Sequence, residues 1–169
     1  MPYLTAAVVL LAVLGMLNLL LTLAIVRRLR TMNQQPPPEP LIQGNAIRPF
    51  TTKTIDGQIV SERDLRGGRS LVGYFSPGCP PCEAARPRFV AYAAGLDRER
   101  VLAVIVDGTA EDATDDLAAV ARVARASERD SVVEALSAYG YPAVFLLDED
   151  GRVLAADTTV DGLPLVTAR

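Results

Sequence analysis

The feature that most constrains how this chain can fold is a pair of cysteines separated by two prolines. Cys79 and Cys82 are the only cysteines in the sequence. The residues from Leu71 to Phe75 form a short apolar run with the character of a strand, and Ser76-Pro77-Gly78 interrupts that run. From Pro80 onward the composition favours a helix, whose first-turn amides have no intrahelical partner and therefore tolerate proline. The pattern predicts a strand that delivers Cys79 to a helix N-terminus.

This position has chemical consequences for the cysteine pair. The partial positive charge and unpaired amides at a helix N-terminus favour the thiolate, which is the form of cysteine that attacks disulfides. The two intervening prolines remove two amide donors from the vicinity of the sulfur. We therefore expect a less depressed thiol pKa and a more reducing couple than for a pair with polar residues between the cysteines.

A structural disulfide, a zinc site and a copper site are the alternative uses of this pair. A disulfide that closes so short a loop constrains little of the unfolded chain and adds little stability. Structural zinc sites use four nitrogen or sulfur ligands, whereas this chain has two cysteines and no histidine. A copper site would lack thioether ligands, because Met1, Met16 and Met32 all precede the predicted folded region. We expect a redox-active pair without metal or other cofactor.

The N-terminal segment from Leu4 to Val26 is almost wholly apolar. A helix of that length would extend about 34 Å at about 1.5 Å per residue, which is enough to cross a bilayer. A cleavable signal peptide is the alternative, but the apolar run is long, and Arg27, Arg28 and Arg30 follow where small residues would mark a cleavage site. The sequence predicts that residues 1–30 form a transmembrane anchor with a basic flank.

The arginines after the apolar segment bear on membrane topology, because the positive-inside rule places them, and the domain that follows them, in the cytoplasm.

Residues 31–49 are rich in proline and are predicted to form an extended linker. The folded domain is then expected over residues 50–169. A formal net charge of −3 gives no reason to propose a nucleic-acid partner.

Within the domain the sequence predicts an α/β fold, a mixed sheet with helices on its faces. The predicted elements are a hairpin over 50–60, a helical turn over 61–65, a strand over 71–75, a helix over 80–94, a strand over 101–106, helices over 111–126 and 131–140, and a hairpin of strands 143–147 and 152–156.

The motifs in this order resemble the thioredoxin superfamily, and within it the membrane-anchored TlpA/ResA-like thiol–disulfide oxidoreductases. The resemblance covers about Pro49 to Ala156. It depends on the motifs Phe50…Asp56-Gly57…Leu65-Arg66-Gly67, Cys79-Pro80-Pro81-Cys82, Pro87, and Tyr141-Pro142 ahead of Phe145-Leu146-Leu147-Asp148…Asp150-Gly151. It implies a thioredoxin-like mixed β-sheet flanked by helices and preceded by one transmembrane helix.

The resemblance also implies roles for individual residues. Cys79 corresponds to the attacking cysteine and Cys82 to the resolving one. Pro142 corresponds to a cis-proline beside the pair, where the backbone of Tyr141 would accept a substrate strand. The implied activity is reduction or exchange of disulfides in client proteins, with electrons supplied by another protein.

The chain departs from the family pattern around the cysteines. Gly78 stands where many members have tryptophan, and Gly73 stands where thioredoxin has a buried aspartate. Glu83 and Ala85 occupy positions at which the family often has a basic and an acidic residue. Because the chain has no histidine, Glu83 or water is left as the proton acceptor for the resolving cysteine. The segment 157–169 is short for the closing helix of the fold.

Two other functions are also compatible with the sequence. A membrane-tethered domain of this fold could bind client proteins without turnover. A peroxiredoxin-like peroxidase is the second alternative, although Ser76 lies where the T-x-x-C context of such enzymes has threonine. The side of the membrane is also open, because family members commonly work outside the cytoplasm while the arginines favour the inside.

Overall fold

The computed structural model describes residues 2–32, 43–109, 115–138 and 140–164. Contacts between α-carbons divide the chain into two compact units, Met1–Glu39 and Pro40–Arg169.

The first unit is built on one helix, α1 (Pro2–Met32), which is 31 residues long. The predicted span from Leu4 to Val26 lies inside it. Its large apolar side chains that are described all face outward, from Tyr3 through Val8 and Leu10 to Leu23. Over the described residues, no helix has both the length and the apolar character needed to cross a membrane.

The second unit contains a small antiparallel hairpin and a larger mixed sheet. Its elements are β1 (Thr51–Lys53), β2 (Ile59–Ser61), β3 (Ser70–Phe75), α2 (Pro80–Ala93), β4 (Val101–Val106), α3 (Asp115–Val120), β5 (Arg122–Ala126), α4 (Ser131–Ala135), β6 (Ala143–Leu147) and β7 (Val153–Asp157). The larger sheet has the strand order β5-β4-β3-β6-β7, with β3 at its centre. Strand β3 is parallel to β4, which is parallel to β5, whereas β6 is antiparallel to both β3 and β7.

The central strands are buried on both faces because every residue of β3 and β4 is apolar or small. All positions of both strands are buried. Successive side chains of a strand point to opposite faces, so Tyr74 joins the apolar layer beneath the hairpin and α4, whereas Phe75 joins the layer beneath α2. The predicted mixed sheet with helices on its faces is confirmed.

The local predictions for the hairpin and the cysteine region are also confirmed. Strands β1 and β2 pair across a turn in which Gly57 has φ +88°, a backbone conformation that favours glycine. A 3-10 turn follows at Glu62–Leu65. Helix α2 begins directly after Cys79 and contains Pro87.

The predicted helix over 111–126 is wrong in its second half. Residues 110–114 lie outside the described residues, α3 ends at Val120, and Arg122–Ala126 forms the parallel edge strand β5 beside β4. The acidic-to-basic charge order is typical of a helix, but Val123 and Ala124 point into opposite apolar layers with the period of a strand. Pairing with the open edge of β4 outweighs the helical preference of residues 122–126.

The predicted helix over 131–140 is shorter than expected. Helix α4 ends at Ala135, and its N-cap is Asp130. The chain leaves the helix because Leu136 and Ala138 are both buried, and between them Ser137 takes a left-handed conformation with φ +51°.

The described residues at the start of the second unit do not form a simple linker, and those at its end do not form a closing helix. Of the predicted linker, residues 33–42 lie outside the described residues, whereas Asn45 to Arg48 pack on the unit. The Asn45 carbonyl accepts a hydrogen bond from Val153 N–H at 2.9 Å, and Ile47 is buried. After β7 the described chain forms a 3-10 turn at Val160–Gly162, and residues 165–169 lie outside the described residues.

Candidate functional site

The cysteine pair lies where the central strand of the sheet gives way to a helix. Strand β3 ends at Phe75, and the chain turns through Gly78, whose φ of +64° favours glycine. Cys79 is the N-cap of α2, and Pro80 and Pro81 occupy its first turn, as predicted.

Cys79 and Cys82 are joined by a disulfide, with their α-carbons 5.2 Å apart. The Cys82 amide donates a hydrogen bond to Cys79 Sγ at 3.2 Å. Cys82 is fully buried and packs in the same apolar cluster as Phe75 and Phe89, whereas Cys79 is partly exposed at the edge of that cluster. A reagent in solvent therefore reaches Cys79 and not Cys82. The amide that contacts Cys79 would stabilise its thiolate after reduction.

The Tyr141–Pro142 segment contacts the cysteine pair. The Tyr141–Pro142 peptide bond is cis, as the resemblance implies for Pro142. Cys79 Sγ lies 3.6 Å from the Tyr141 carbonyl oxygen, and the two residues are 62 positions apart in the chain. Pro142 is buried and Tyr141 is half-buried. The structure thus brings together four of the predicted site residues, while their roles in substrate binding and catalysis stay predictions.

Two tyrosines near this segment remain protonated at ordinary pH. Burial, with smaller contributions from the negative charges of Glu128 and Asp107, raises the pKa of Tyr141 to about 12. Burial also raises the pKa of Tyr74 far above its usual value, with a smaller contribution from Tyr141. The Tyr74 hydroxyl donates a hydrogen bond to the Val132 carbonyl at 2.6 Å. This bond ties β3 to α4 beneath the site.

Glu83, the predicted proton acceptor, donates a hydrogen bond from its amide to the Cys79 carbonyl. Its side chain is exposed, and among the described residues no side-chain hydrogen bond joins Glu83 to either cysteine. The role of Glu83 stays a prediction.

Gly73 leaves no room for a side chain in the core next to Cys82. A β-carbon there would lie 2.5 Å from Phe89 Cε2 and 2.9 Å from Phe75 Cε2. The position at which thioredoxin has an aspartate is therefore filled by aromatic rings. In the described part of the chain, no group of three or more histidine, cysteine, aspartate or glutamate residues could hold a metal ion.

Tyr141 and Pro142 also line a pocket that the sequence did not indicate. It has a volume of about 460 Å³ and lies between the residues after α4 and the strands β6 and β7. Its lining includes Leu136, Ser137, Tyr141, Pro142, Phe145 and Ala156. Because the pocket is formed by tertiary contacts among three segments, no sequence pattern marks it apart from Tyr141-Pro142 itself.

No protein-family model matches the sequence, and no curated protein matches it. Solved structures do match. The thioredoxin domain of a thiol–disulfide oxidoreductase from Bacteroides vulgatus is 24% identical with a TM-score of 0.54, over 72% of this chain and 91% of that one. A protein from Chlorobium tepidum described as the thiol:disulfide interchange protein DsbE is 25% identical with a TM-score of 0.51, over 69% and 84%. A thiol:disulfide interchange protein from Bacteroides sp. is 24% identical with a TM-score of 0.53, over 69% and 82%.

These neighbours agree with the geometry of the second unit. They are thioredoxin-like thiol–disulfide oxidoreductases, and this chain has a mixed sheet with a cysteine pair at the start of a helix. The second unit of this chain therefore has the thioredoxin-like fold.

Proposed function

We propose that this protein is a thiol–disulfide oxidoreductase that reduces or exchanges disulfides in client proteins. The observation that carries the proposal is the position of the disulfide-bonded cysteines. The partly exposed Cys79 caps α2 and lies 3.6 Å from the carbonyl before Pro142. The kind of protein found among the structural neighbours also supports redox catalysis.

The reaction begins with the reduced pair. The Cys79 thiolate attacks one sulfur of a client disulfide, the client S–S bond breaks, and the released client sulfur takes up a proton. Cys82 then loses its proton and attacks Cys79 in the mixed disulfide, which releases the second client thiol and leaves Cys79 and Cys82 oxidised. Two electrons pass from the pair to the client, and a dithiol must then reduce the pair again; in the cell we propose that an electron-donor protein supplies it.

The environment of each sulfur supports this division of roles. Cys79 is the accessible sulfur and accepts a hydrogen bond from the Cys82 amide, which favours its thiolate. Cys82 is fully buried among apolar side chains. The buried Cys82 is protected from solvent reagents and is close to Cys79 when the mixed disulfide forms.

Insulin reduction by the full chain, with dithiothreitol as the source of electrons, tests the proposal. We expect the wild-type protein to accelerate the reaction and Cys79→Ser to give only the background rate. Cys82→Ser should accumulate a mixed disulfide with its client, visible by non-reducing electrophoresis, and Cys79→Ser/Cys82→Ser should not. Equal rates for wild type and Cys79→Ser would overturn the catalytic proposal. Client binding that survives loss of both cysteines would instead favour a binding protein without turnover.

We further propose that α1 attaches this domain to a membrane. The helix exposes large apolar side chains along its length, including Leu10, Leu17 and Leu23, and exposed apolar surface of this extent marks a membrane or protein contact. Extraction of cell membranes with alkaline carbonate tests the attachment: the chain should stay with the membrane, and its release would contradict the proposal.

The arginines after the apolar segment favour a cytoplasmic domain, whereas family resemblance favours the opposite side. We propose the cytoplasmic side, because the arginines belong to this chain. Protease treatment of intact cells should leave the domain uncut, and its cleavage would place it outside.

A further inference from the structure

We propose that two copies of this chain pair through one face of α1, with the carboxamides of their Asn18 residues hydrogen-bonded to each other. This inference rests on the proposed attachment of α1 to a membrane. It names the partner of that helix, which is a second copy of the same chain.

Asn18 is a polar residue in an otherwise apolar stretch. Between residues 7 and 24 the polar side chains are those of Asn18 and Thr22. The Thr22 hydroxyl donates a hydrogen bond to the Asn18 carbonyl at 2.8 Å within the same helix. The Asn18 side chain is exposed, and within the described part of the chain its carboxamide has no hydrogen-bond partner. The Asn18 carboxamide must therefore find a partner outside α1.

The hydrocarbon part of a bilayer does not supply this partner. Lipid tails neither donate nor accept hydrogen bonds, so a polar group in contact with them loses the bonds that it makes in water. The asparagine carboxamide has two N–H donors and an oxygen acceptor. Two asparagines that face each other can therefore exchange hydrogen bonds, each donating to the oxygen of the other. Hydrogen bonds of this kind stabilise the association of helices in membranes.

A second copy of the chain presents the complementary group at the same depth. The arginines that follow the apolar segment, Arg27, Arg28 and Arg30, orient every copy in the same direction. Two helices with the same direction are parallel, and a twofold axis between them places each residue near the axis opposite the identical residue of the other copy. The Asn18 carboxamide of one copy then faces the Asn18 carboxamide of the other.

The surface around Asn18 also fits a second helix. Leu11, Gly15, Asn18 and Thr22 follow one another at alternating spacings of four and three residues, which places them on one face of the helix. Apart from the neighbours of Gly15 and the backbone of α1, nothing in the described chain lies within 4 Å of a β-carbon placed at Gly15. Because Gly15 has no side chain, the backbone of another helix can approach closely one turn before Asn18. This approach brings two Asn18 side chains within hydrogen-bond distance.

Sedimentation equilibrium of the full-length protein in density-matched detergent micelles measures the dissociation constant of the pair. We expect the wild-type protein to form dimers that dissociate as the ratio of detergent to protein rises. Asn18→Leu removes the carboxamide and should raise the dissociation constant about tenfold. Thr22→Val is the matched control, because it removes a polar group from the same face whose hydrogen bond is already made within the helix. The control should change the dissociation constant by less than about twofold.

Disulfide crosslinking identifies the face that forms the pair. Leu11→Cys and Leu20→Cys are introduced separately into the full-length Cys79→Ser/Cys82→Ser protein, which is placed in phosphatidylcholine vesicles and oxidised with copper phenanthroline. Leu11 lies on the face of Asn18, whereas Leu20 lies on the opposite face of the helix. We expect Leu11→Cys to give a crosslinked dimer and Leu20→Cys to give much less of it.

Three results would each overturn the pairing through Asn18. They are a wild-type protein that is monomeric at every detergent ratio, an equal dissociation constant for Asn18→Leu and wild type, and stronger crosslinking by Leu20→Cys than by Leu11→Cys. None of them affects the proposed oxidoreductase function, because insulin reduction depends on the cysteines of the second unit. Release of the chain from membranes by alkaline carbonate would overturn the attachment of α1 and, with it, the pairing in the membrane.

Discussion

Replacement of Gly73 by alanine should destabilise the second unit, because the new methyl group has no space in the core. A β-carbon at this position would lie 2.5 Å from Phe89 Cε2 and 2.9 Å from Phe75 Cε2. Both rings are fully buried and touch each other edge to face, with centroids 5.2 Å apart. Neither ring can move into solvent, so the helix α2 that carries Phe89 and Cys82 must shift.

The expected cost follows from these contacts. Overpacking a core typically costs about 1–3 kcal/mol, and two blocked rings place Gly73→Ala near the upper end. Alanine also restricts the unfolded chain, which returns about 0.4–1 kcal/mol. The free energy of unfolding should therefore fall by about 2 kcal/mol. For a unit of this size the midpoint of thermal unfolding should fall by about 8 °C.

Urea unfolding of the oxidised protein, followed by near-ultraviolet circular dichroism, measures this change. Gly95→Ala is the matched control, since its nearest neighbour, the Tyr92 carbonyl oxygen, would be at an ordinary 3.5 Å. The control should be more stable than wild type by about 0.4–1 kcal/mol, because alanine restricts the unfolded chain there without a steric cost.

The same substitution made in a Phe89→Leu variant identifies the cause of the lost stability. Phe89→Leu removes the ring edge that the methyl group strikes, so Gly73→Ala should cost clearly less in that background. An unchanged stability in Gly73→Ala, or an equal cost in both backgrounds, would refute the steric explanation.

Three further predictions concern stability. Tyr74→Phe leaves the Val132 carbonyl without its buried donor and should lower the free energy of unfolding by about 1–2 kcal/mol; a denaturation midpoint equal to that of wild type would contradict this. Arg122 is 4% exposed, and its Nε and Nη2 have no hydrogen-bond partner in the described part of the protein. Arg122→Met should therefore keep or raise the midpoint of urea unfolding. A clearly lower midpoint would contradict this prediction. The Asp64 carboxylate accepts hydrogen bonds from the Ser61 amide and hydroxyl, which lower the pKa of Asp64 below its usual 3.8. Because the pKa of Asp64 is lower in the folded than in the unfolded state, its carboxylate stabilises the protein at pH values above the unfolded-state pKa. This stabilisation is lost as the pH falls through the folded-state pKa. The stability difference between wild type and Asp64→Asn should therefore be full at pH 6 and shrink below pH 3.8, and a difference that grows on acidification would be the opposite result.

The sequence alone determined the features that depend on neighbouring residues. The apolar run before Cys79, the turn at Gly78 and the prolines after it specify a strand, a break and a helix start within a few positions. Asp56-Gly57 specifies the hairpin turn in the same way, and β4 is recognisable as an unbroken apolar run. Such patterns are local, because strand period, turn geometry and helix capping each involve residues that are close in the chain.

Only the tertiary structure decided the features that depend on distant residues. Residues 122–126 have the charge order of a helix end but become a strand, because the edge of β4 offers hydrogen bonds along its whole length. The approach of Tyr141 to Cys79 joins residues 62 positions apart, and the exclusion of a side chain at Gly73 depends on a ring from another element. The pocket with Ser137 likewise combines three segments. Packing and sheet pairing act between elements, so no local pattern contains them.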